Sequence, residues 1–193
     1  MGDAPLLVLI GGPNGAGKTT LSSALLPTLG VSHFVNADNI AQGMSGSPGT
    51  VSAKAGRAML LQLRALSTSG EDFAFESTLA SRSFARFVAD TKKHGYRFLL
   101  YYIWVPTAEQ AVARVRRRFQ NGGHFVAEAD VRRRHGRSAR NFFDLYRPLA
   151  DAWIVFENPD GQPHQVVAAG AGDEVEWVGD EELWNSLSLA GQG

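Results

Sequence analysis

Eight consecutive residues near the N-terminus carry the strongest chemical signal in this sequence. Gly12-Pro13-Asn14-Gly15-Ala16-Gly17-Lys18-Thr19 has the spacing of a phosphate-binding P-loop and directly follows an apolar run, residues 6–10. Glycines let the backbone curl so that successive amides point at one phosphate, and the following helix adds its positive N-terminal end. An ordinary glycine-rich turn explains neither the lysine nor the hydroxyl after it. The pattern predicts that the chain binds a nucleoside triphosphate.

The polar residues that end this motif divide the work of holding a triphosphate. Lys18 supplies a movable positive charge for the β- and γ-phosphates, and the Thr19 hydroxyl is placed to ligate Mg²⁺. The predicted nucleotide-binding set is the loop together with the next hydroxyl: Gly12, Pro13, Asn14, Gly15, Ala16, Gly17, Lys18, Thr19 and Thr20.

An aspartate follows the second predicted strand, at a distance along the chain that suits a catalytic base. Ligands of P-loop folds lie beyond the carboxyl ends of the strands, so Asp38 is placed to orient an attacking hydroxyl and accept its proton. The alternative is that Asp38 caps a helix that begins near Asn39, a common role for aspartate. Spacing alone leaves both interpretations open.

Two further strand ends carry polar residues. Glu76 ends an apolar strand, where it is placed to hold a Mg²⁺-bound water or to anchor a substrate hydroxyl. A solvated loop acid is the weaker reading because Ser77 and Thr78 follow at once. Asn158 is placed to contact the nucleotide base, but residues 158–161 also have good turn chemistry, and the turn is favoured.

An arginine-rich segment occupies the second half of the chain. Nine arginines lie between Arg114 and Arg140, in two groups that flank a glycine turn at residues 121–124. Two basic helix ends joined by such a turn predict a lid, about 114–140, that closes over the triphosphate and neutralises charge on the transferred phosphoryl group. Within each group the residues that share a helical face are Arg114 with Arg118, and Arg134 with Arg137 and Asn141.

Two other interpretations of the arginines stay open. A solvated helix face holds for some of the remaining ones: Arg116, Arg117, Arg132 and Arg133. A nucleic-acid patch is disfavoured, because aromatic interleaving is sparse and the net charge is zero. His124 in the glycine turn is placed to contact phosphate, although a lone exposed histidine usually has no functional role.

Composition bounds the class of protein. Lys+Arg and Asp+Glu both number 19, and the hydrophobic (44%) and charged (20%) fractions are those of a globular chain. The absence of cysteine excludes disulfides, thiolate metal sites and thiol catalysis. The first residues lack the basic region of a signal peptide, and no apolar stretch approaches membrane-spanning length. We expect a cytoplasmic protein without a membrane partner.

Hydrophobic periodicity predicts alternating strands and helices. Strands are predicted at 6–10, 31–37, 72–76, 96–105 and 152–156, with 96–105 as the central one, followed by a hairpin of 165–169 and 174–178. Helices are predicted at 19–26, 51–69, 83–94, 107–120 and 128–146, with a loop at 42–48. This alternation predicts an α/β fold: one domain, 1–193, with a mainly parallel sheet, helices on both faces, and a C-terminal hairpin and helix at about 163–189.

Several motifs in order resemble the zeta-toxin family of bacterial P-loop kinases and its small relatives. They are GGPNGAGKTT (11–20), NADNIA (36–41), FESTLASRS (75–83), RRRFQNGGHFV (116–126), VRRRHGRSARNF (131–142) and DAWIVFEN (151–158). This ordered set is far more specific than the P-loop by itself. The chain is shorter than the classical toxins, and its GGH lid looks more like the small relatives.

The resemblance implies a nucleoside-monophosphate-kinase-like P-loop fold and a kinase that uses ATP and Mg²⁺. The best-known members transfer the γ-phosphate to a hydroxyl of UDP-N-acetylglucosamine, and a paired antitoxin blocks the ATP site. Carried over by motif, Lys18 and Thr19 hold phosphate and Mg²⁺, Asp38 is the base, and Glu76 and Thr78 lie on the substrate side. The arginines implied as phosphate clamps are Arg118 and Arg134, with the choice among Arg132, Arg133 and Arg134 left open.

Three functions compete on this basis. The first is a kinase of a small molecule, such as a UDP-amino sugar, with an antitoxin protein as a possible partner. The second is a regulatory protein in which nucleotide hydrolysis times a conformational change. The third is a nucleic-acid end-kinase. It is disfavoured because residues 51–69 and 82–94 supply few basic side chains to line a groove for a polynucleotide.

Overall fold

Sixteen short segments of regular structure alternate along the chain in the computed structural model, which describes residues 4–46, 48–159 and 162–193. The strands are β1 (Leu6–Gly11), β2 (His33–Val35), β3 (Phe73–Ser77), β4 (Arg97–Trp104), β5 (Ala152–Glu157), β6 (Gln165–Ala171) and β7 (Glu174–Val178). The helices are α1 (Lys18–Thr28), α2 (Ala37–Gln42), α3 (Pro48–Leu66), α4 (Arg82–Lys93), α5 (Ala108–Gln120), α6 (Glu128–Asn141) and α7 (Glu181–Gln192). A π-helical turn, Phe142–Tyr146, and a 3-10 turn, Arg147–Leu149, follow α6.

The strands form one seven-stranded sheet in the order β2-β3-β1-β4-β5-β6-β7. The first five of these run parallel, and β6 and β7 complete the sheet as an antiparallel hairpin. The predicted α/β class, the central position of β4 and the terminal hairpin are confirmed. Because parallel strands end at the same edge, the residues after β1, β2 and β3 are brought together there.

Helices cover both faces of the sheet, as predicted. One core cluster packs β1, β3 and β4 against α3, α4 and the segment after α6, and includes Trp104 and Trp153. The second cluster, on the opposite face, packs the same strands against α1 and α5, with Ile10, Ile103 and Val112 among its members. Burying apolar residues on both faces explains why these strands read as continuous apolar runs.

The structure differs from the sequence prediction around the second strand. β2 is three residues long because Asn36 leaves the strand to cap α2, where its side chain accepts a hydrogen bond from the Asp38 amide at 2.8 Å. The short helix α2 begins at Ala37, two residues before the start near Asn39 that the capping interpretation of Asp38 assumed. The predicted loop 42–48 is interrupted by the start of α3 at 48, and residue 47 lies outside the described residues.

The predicted long helix 128–146 divides in two. The α-helix ends at Asn141, and the next turn widens into the π-helical turn. Asn141 donates a hydrogen bond to the Leu79 carbonyl at 2.6 Å, which ties this end of the helix to the segment after β3. No helix in the described ranges has the length and apolar composition needed to span a bilayer.

Candidate nucleotide and phosphoryl-transfer site

The loop between β1 and α1 has a backbone that only glycine fits at three positions. Gly12, Gly15 and Gly17 have φ values of 143°, 79° and 94°. A Cβ added at Gly12 lies 2.5 Å from the Ile103 carbonyl oxygen, and one at Gly17 lies 2.2 Å from Asn158 Nδ2. Side chains there are excluded by close backbone and side-chain neighbours as well as by conformation. The loop therefore has the curled, closely packed form that the motif predicts.

The Lys18 ammonium lies beneath this loop. Its Nζ donates to the carbonyl oxygens of Gly12 at 2.9 Å and Pro13 at 3.0 Å. Loss of hydration lowers the Lys18 pKa from 10.5 to about 8, an effect that the nearby carboxylates of Glu76 and Asp38 oppose. A polyanionic ligand next to this ammonium would stabilise its charged form and raise its pKa again.

Charged side chains from distant parts of the chain converge on Lys18. Besides the two carboxylates, Arg118 and Arg134 lie close enough that their positive charges lower the Lys18 pKa further. All five residues line one cavity, together with Thr19 and Thr78. The structure thus brings together the base, clamp and substrate-side residues that the sequence predicted.

Glu76 is buried at the centre of a hydrogen-bond network, with 7% of its surface exposed. Its carboxylate accepts from Thr19 Oγ1 at 3.2 Å, Ser22 Oγ at 2.9 Å and Asn36 Nδ2 at 3.1 Å. Burial raises the Glu76 pKa, and Lys18 opposes that rise. The reading of Glu76 as a solvated loop acid is therefore wrong, and its contact with the Thr19 hydroxyl places both predicted metal ligands side by side.

Asp38 does not cap a helix that begins near Asn39. Asn36 is the N-cap of α2, and Asp38 lies inside the first turn, where its side chain lines the cavity. Asn36 was not identified from the sequence as a site residue. It links the two acids, because its side-chain oxygen holds the Asp38 amide while its nitrogen donates to Glu76. An asparagine directly after a short apolar strand was the available signal.

The arginines separate into those that line the cavity and those that do not. Arg134 reaches the Asn14 side chain of the P-loop at 3.5 Å. Arg132 forms ion pairs with Glu109 at 2.5 Å and Glu128 at 2.9 Å on the surface, as the solvated-face interpretation expects. The cavity-lining arginines of α5 and α6 are Arg118, Arg133, Arg134 and Arg137.

Two predicted candidates have other surroundings. The exposed His124 does not line the cavity, and Arg114 turns away from it to donate to the Asn158 carbonyl at 2.8 Å. Asn158 Nδ2 donates to the Ala16 carbonyl at 3.0 Å, so its side chain braces the P-loop from behind. The favoured turn at 158–161 includes residues 160 and 161, which lie outside the described residues.

The cavity extends beyond the P-loop to a second wall that the sequence did not predict. The volume of the whole cavity is about 580 Å³, and α3 and α4 form this far wall. Residues of this wall are Ser52, Arg57, Met59, Leu60, Ser81, Ser83 and Phe84. A space with a phosphate-binding loop on one side and a mixed polar and apolar wall on the other has the size and lining of a small-molecule site.

Solved structures share this fold at low sequence identity. One chain of the AvrRxo1-ORF1:-ORF2 complex with ATP superimposes with a TM-score of 0.70 at 18% identity, over 97% of this protein and 64% of that chain. The protein thus spans less than two thirds of that relative's length. A chain of the PezAT chromosomal toxin–antitoxin system of Streptococcus pneumoniae gives 0.61 at 16% identity, over 98% of this protein and 86% of the other. A putative kinase from Chloroflexus aurantiacus gives 0.58 at 21% identity, with 70% and 80% covered.

Sequence comparison gives a relative and a family. An uncharacterized protein of Haemophilus influenzae is 30% identical over 125 residues, which is 64% of this chain and 88% of the relative. The family model described as an AAA domain matches residues 7–142, from β1 through the P-loop to the end of α6. This match covers most of the chain and every charged residue that converges on Lys18, and the protein belongs to the AAA domain family with a P-loop kinase-like fold.

Proposed function

We propose that this protein is an ATP-dependent kinase that transfers the γ-phosphoryl group to a hydroxyl of a small molecule. The observation that carries the proposal is the placement of Asp38 in the same cavity as Lys18, Arg118 and Arg134. We call the part of this cavity that α3 and α4 line the acceptor chamber. A nucleotide-hydrolysing switch needs space only for a water molecule beside the triphosphate and does not need a carboxylate next to such a chamber. An acceptor kinase needs that arrangement.

The reaction follows from the positions of these charges. The acceptor hydroxyl oxygen bonds to the γ-phosphorus, the bond from that phosphorus to the bridging oxygen breaks, and ADP leaves with the bond's electron pair. Asp38 takes the hydroxyl proton as the transfer proceeds. Lys18, Arg118 and Arg134 stabilise the negative charge on the moving phosphoryl group and on the leaving phosphate.

Thr19 and Glu76 fit the divalent cation that such a reaction uses. The Thr19 hydroxyl and one Glu76 oxygen lie 3.2 Å apart, and oxygen ligands of this kind suit Mg²⁺. Thr19 would hold the ion directly, and Glu76 would hold it through a water molecule. When bound, Mg²⁺ neutralises charge between the β- and γ-phosphates. Because both Glu76 oxygens already accept hydrogen bonds, this reading of Glu76 is favoured over an anchor for the substrate hydroxyl.

The finer proposal is a zeta-like kinase of a UDP-amino sugar such as UDP-N-acetylglucosamine, which acts in the cytoplasm and has an antitoxin as a possible partner. The ordered motifs support it, and so does the fold shared with a chain of the PezAT toxin–antitoxin system. The polar and apolar wall of α3 and α4 is compatible with a sugar linked to a larger group. The arginines of α5 and α6 act as the lid.

The test is a direct search for the phosphorylated acceptor. The protein is incubated with ATP and Mg²⁺ and a panel of UDP-sugars, free sugars and 5′-hydroxyl oligonucleotides, and mass spectrometry looks for the gain of one phosphoryl group. We expect a UDP-amino sugar to gain it and the Lys18→Ala variant to be nearly inactive. ADP release without any phosphorylated acceptor would support the regulatory NTPase, and a phosphorylated oligonucleotide the end-kinase.

A further inference from the structure

A second cavity runs down the outside of the molecule between α3 and α4. Its volume is about 570 Å³, and we call it the α3–α4 groove. Leu60 and Ser83 line both this groove and the cavity that contains Asp38. The groove is therefore adjacent to the side of the Asp38 cavity that α3 and α4 form.

One face of α3 lines both spaces. Arg57 lines the acceptor chamber, Leu60 lies at the junction, and Arg64 lines the groove. Their spacing of three and seven residues puts all three on one side of the helix. At about 1.5 Å of rise per residue, Arg64 lies about 10 Å further along the helix than Arg57. A ligand that contacts both arginines is an extended molecule.

The groove carries an excess of positive charge. Arg64, Arg86 and His94 line it, and Asp90 is its one acidic residue among those described. Lys93 binds that carboxylate at 2.9 Å and lowers its pKa, and His94 and Arg64 lower it further. Within the ranges 4–46, 48–159 and 162–193, the guanidinium groups of Arg64 and Arg86 make no hydrogen bond or ion pair, although the Arg64 backbone carbonyl accepts a hydrogen bond from Ser67 Oγ at 2.8 Å. Two guanidinium groups without protein partners, above the apolar floor of Leu60 and Phe87, face the same space.

We propose that the α3–α4 groove is an anion-binding site for a phosphate-bearing arm of the acceptor, with Arg64 and Arg86 as its ligands. The planar guanidinium group presents paired donors that match phosphate oxygens. This inference rests on the proposed kinase function for the location of the reacting hydroxyl. It adds that the acceptor's distal end is recognised about 10 Å beyond Arg57 along α3, at residues that do not line the cavity containing Asp38.

The experiment measures binding separately from catalysis. The nucleotide site is saturated with a non-hydrolysable ATP analogue, and UDP is titrated into the protein by calorimetry. We expect the Arg64→Ala/Arg86→Ala double variant to bind UDP at least tenfold more weakly than wild type, because two charge-assisted contacts are lost. Affinity for the ATP analogue should stay within twofold, since neither arginine lines the P-loop cavity.

Arg82→Ala is the matched control. Arg82 is an exposed arginine of α4 that lines neither cavity, so its removal changes the overall charge and leaves the groove intact. Three results would each contradict the proposed anion site. They are a failure of the wild-type protein to bind UDP, an unchanged UDP affinity in the double variant, and an equal loss of UDP affinity in Arg82→Ala.

Kinetics separate this inference from the proposed function. The double variant should raise KM at least tenfold for a UDP-linked acceptor and leave KM for the corresponding free sugar unchanged. If no acceptor is ever phosphorylated but the double variant still loses UDP binding, the anion site is supported and the proposed kinase function is contradicted. If phosphoryl transfer occurs and both KM values are unaffected, the kinase function is supported and the anion site is contradicted.

Discussion

The two sides of the central cavity are built by different means. On the donor side, one short segment supplies both the backbone and the charge, because the curled loop at Gly12, Gly15 and Gly17 leads directly into Lys18. On the opposite side, the groups proposed to act in catalysis are isolated side chains from separate helices: Asp38 from α2, Arg118 from α5 and Arg134 from α6. Backbone geometry fixes the first side, and tertiary packing fixes the second.

This difference predicts different responses to mutation. Substitutions on the donor side should impair nucleotide binding, because the loop and Lys18 contact phosphates in the ground state. Those on the opposite side should mainly lower turnover, because Asp38 and the arginines act on charge that develops during the transfer. Measurements that separate affinity from turnover can therefore confirm or refute the division.

Among substitutions on the side opposite the P-loop, Asp38→Asn should have the largest effect on turnover. The variant keeps the size of the side chain and removes the charge that accepts the proton, so phosphoryl transfer should fall about 10²–10⁴-fold. The melting temperature should change little, because Asn36 rather than Asp38 caps α2. Steady-state kinetics and a thermal melt test this, with ATP affinity as the control. A fully active Asp38→Asn protein would exclude Asp38 as the base and assign that role to Glu76, the other carboxylate that lines the cavity among the described residues.

Arg118→Ala and Arg134→Ala should each lower turnover about a hundredfold, with less effect on ATP affinity. Arg132→Ala is the matched control from the same helix as Arg134. Arg132 is held by Glu109 and Glu128 on the surface and does not line the cavity, so its loss should change turnover less than about twofold. A loss of affinity without a loss of turnover at Arg134 would mean that it binds the ground state only.

Arg133→Ala should have an effect on turnover between those of Arg134→Ala and Arg132→Ala. Arg133 lines the cavity, but it also pairs with Asp130 at 2.7 Å. Since that ion pair competes with a phosphate for the guanidinium group, Arg133→Ala should reduce turnover less than Arg134→Ala and more than Arg132→Ala. Kinetic constants for the three variants, measured side by side, give this order or contradict it.

The contrast also explains what the sequence could predict. The P-loop, the parallel sheet and the central strand were predictable because each follows from residues that are neighbours in the chain or from a regular apolar pattern. Asp38 and Glu76 were found because strand ends meet at one edge of the sheet. Their mutual arrangement through Asn36 was not, because it depends on a cap that shortens β2 by several residues.

The wall formed by α3 and α4 shows the other limit. Arg57, Leu60 and Phe84 form no motif, and their spacing is the ordinary spacing of an amphipathic helix. Only the packing of the two helices beside the P-loop turns them into one wall of the cavity. For the same reason the sequence could group the arginines by helix face but could not choose between Arg132 and Arg134.

The pH dependence of ATP binding tests the donor side alone. In the nucleotide-free protein the Lys18 pKa is about 8, because loss of hydration disfavours the charged ammonium. ATP favours the protonated form, so above pH 8 binding must be accompanied by uptake of a proton. ATP affinity should therefore be nearly constant below pH 8 and then fall by up to about tenfold for each further pH unit.

Lys18→Arg is the control for this pH dependence, since a guanidinium group stays protonated across the whole range. Its affinity for ATP is expected to be lower than that of wild type at pH 7, because the loop is shaped around an ammonium with two carbonyl contacts. Its pH profile between 7 and 9.5 should nevertheless be flat, as judged by titration with a non-hydrolysable ATP analogue. An equally steep decline in both proteins would assign the titration to another group, and a flat profile in wild type would mean that Lys18 keeps its proton without a ligand.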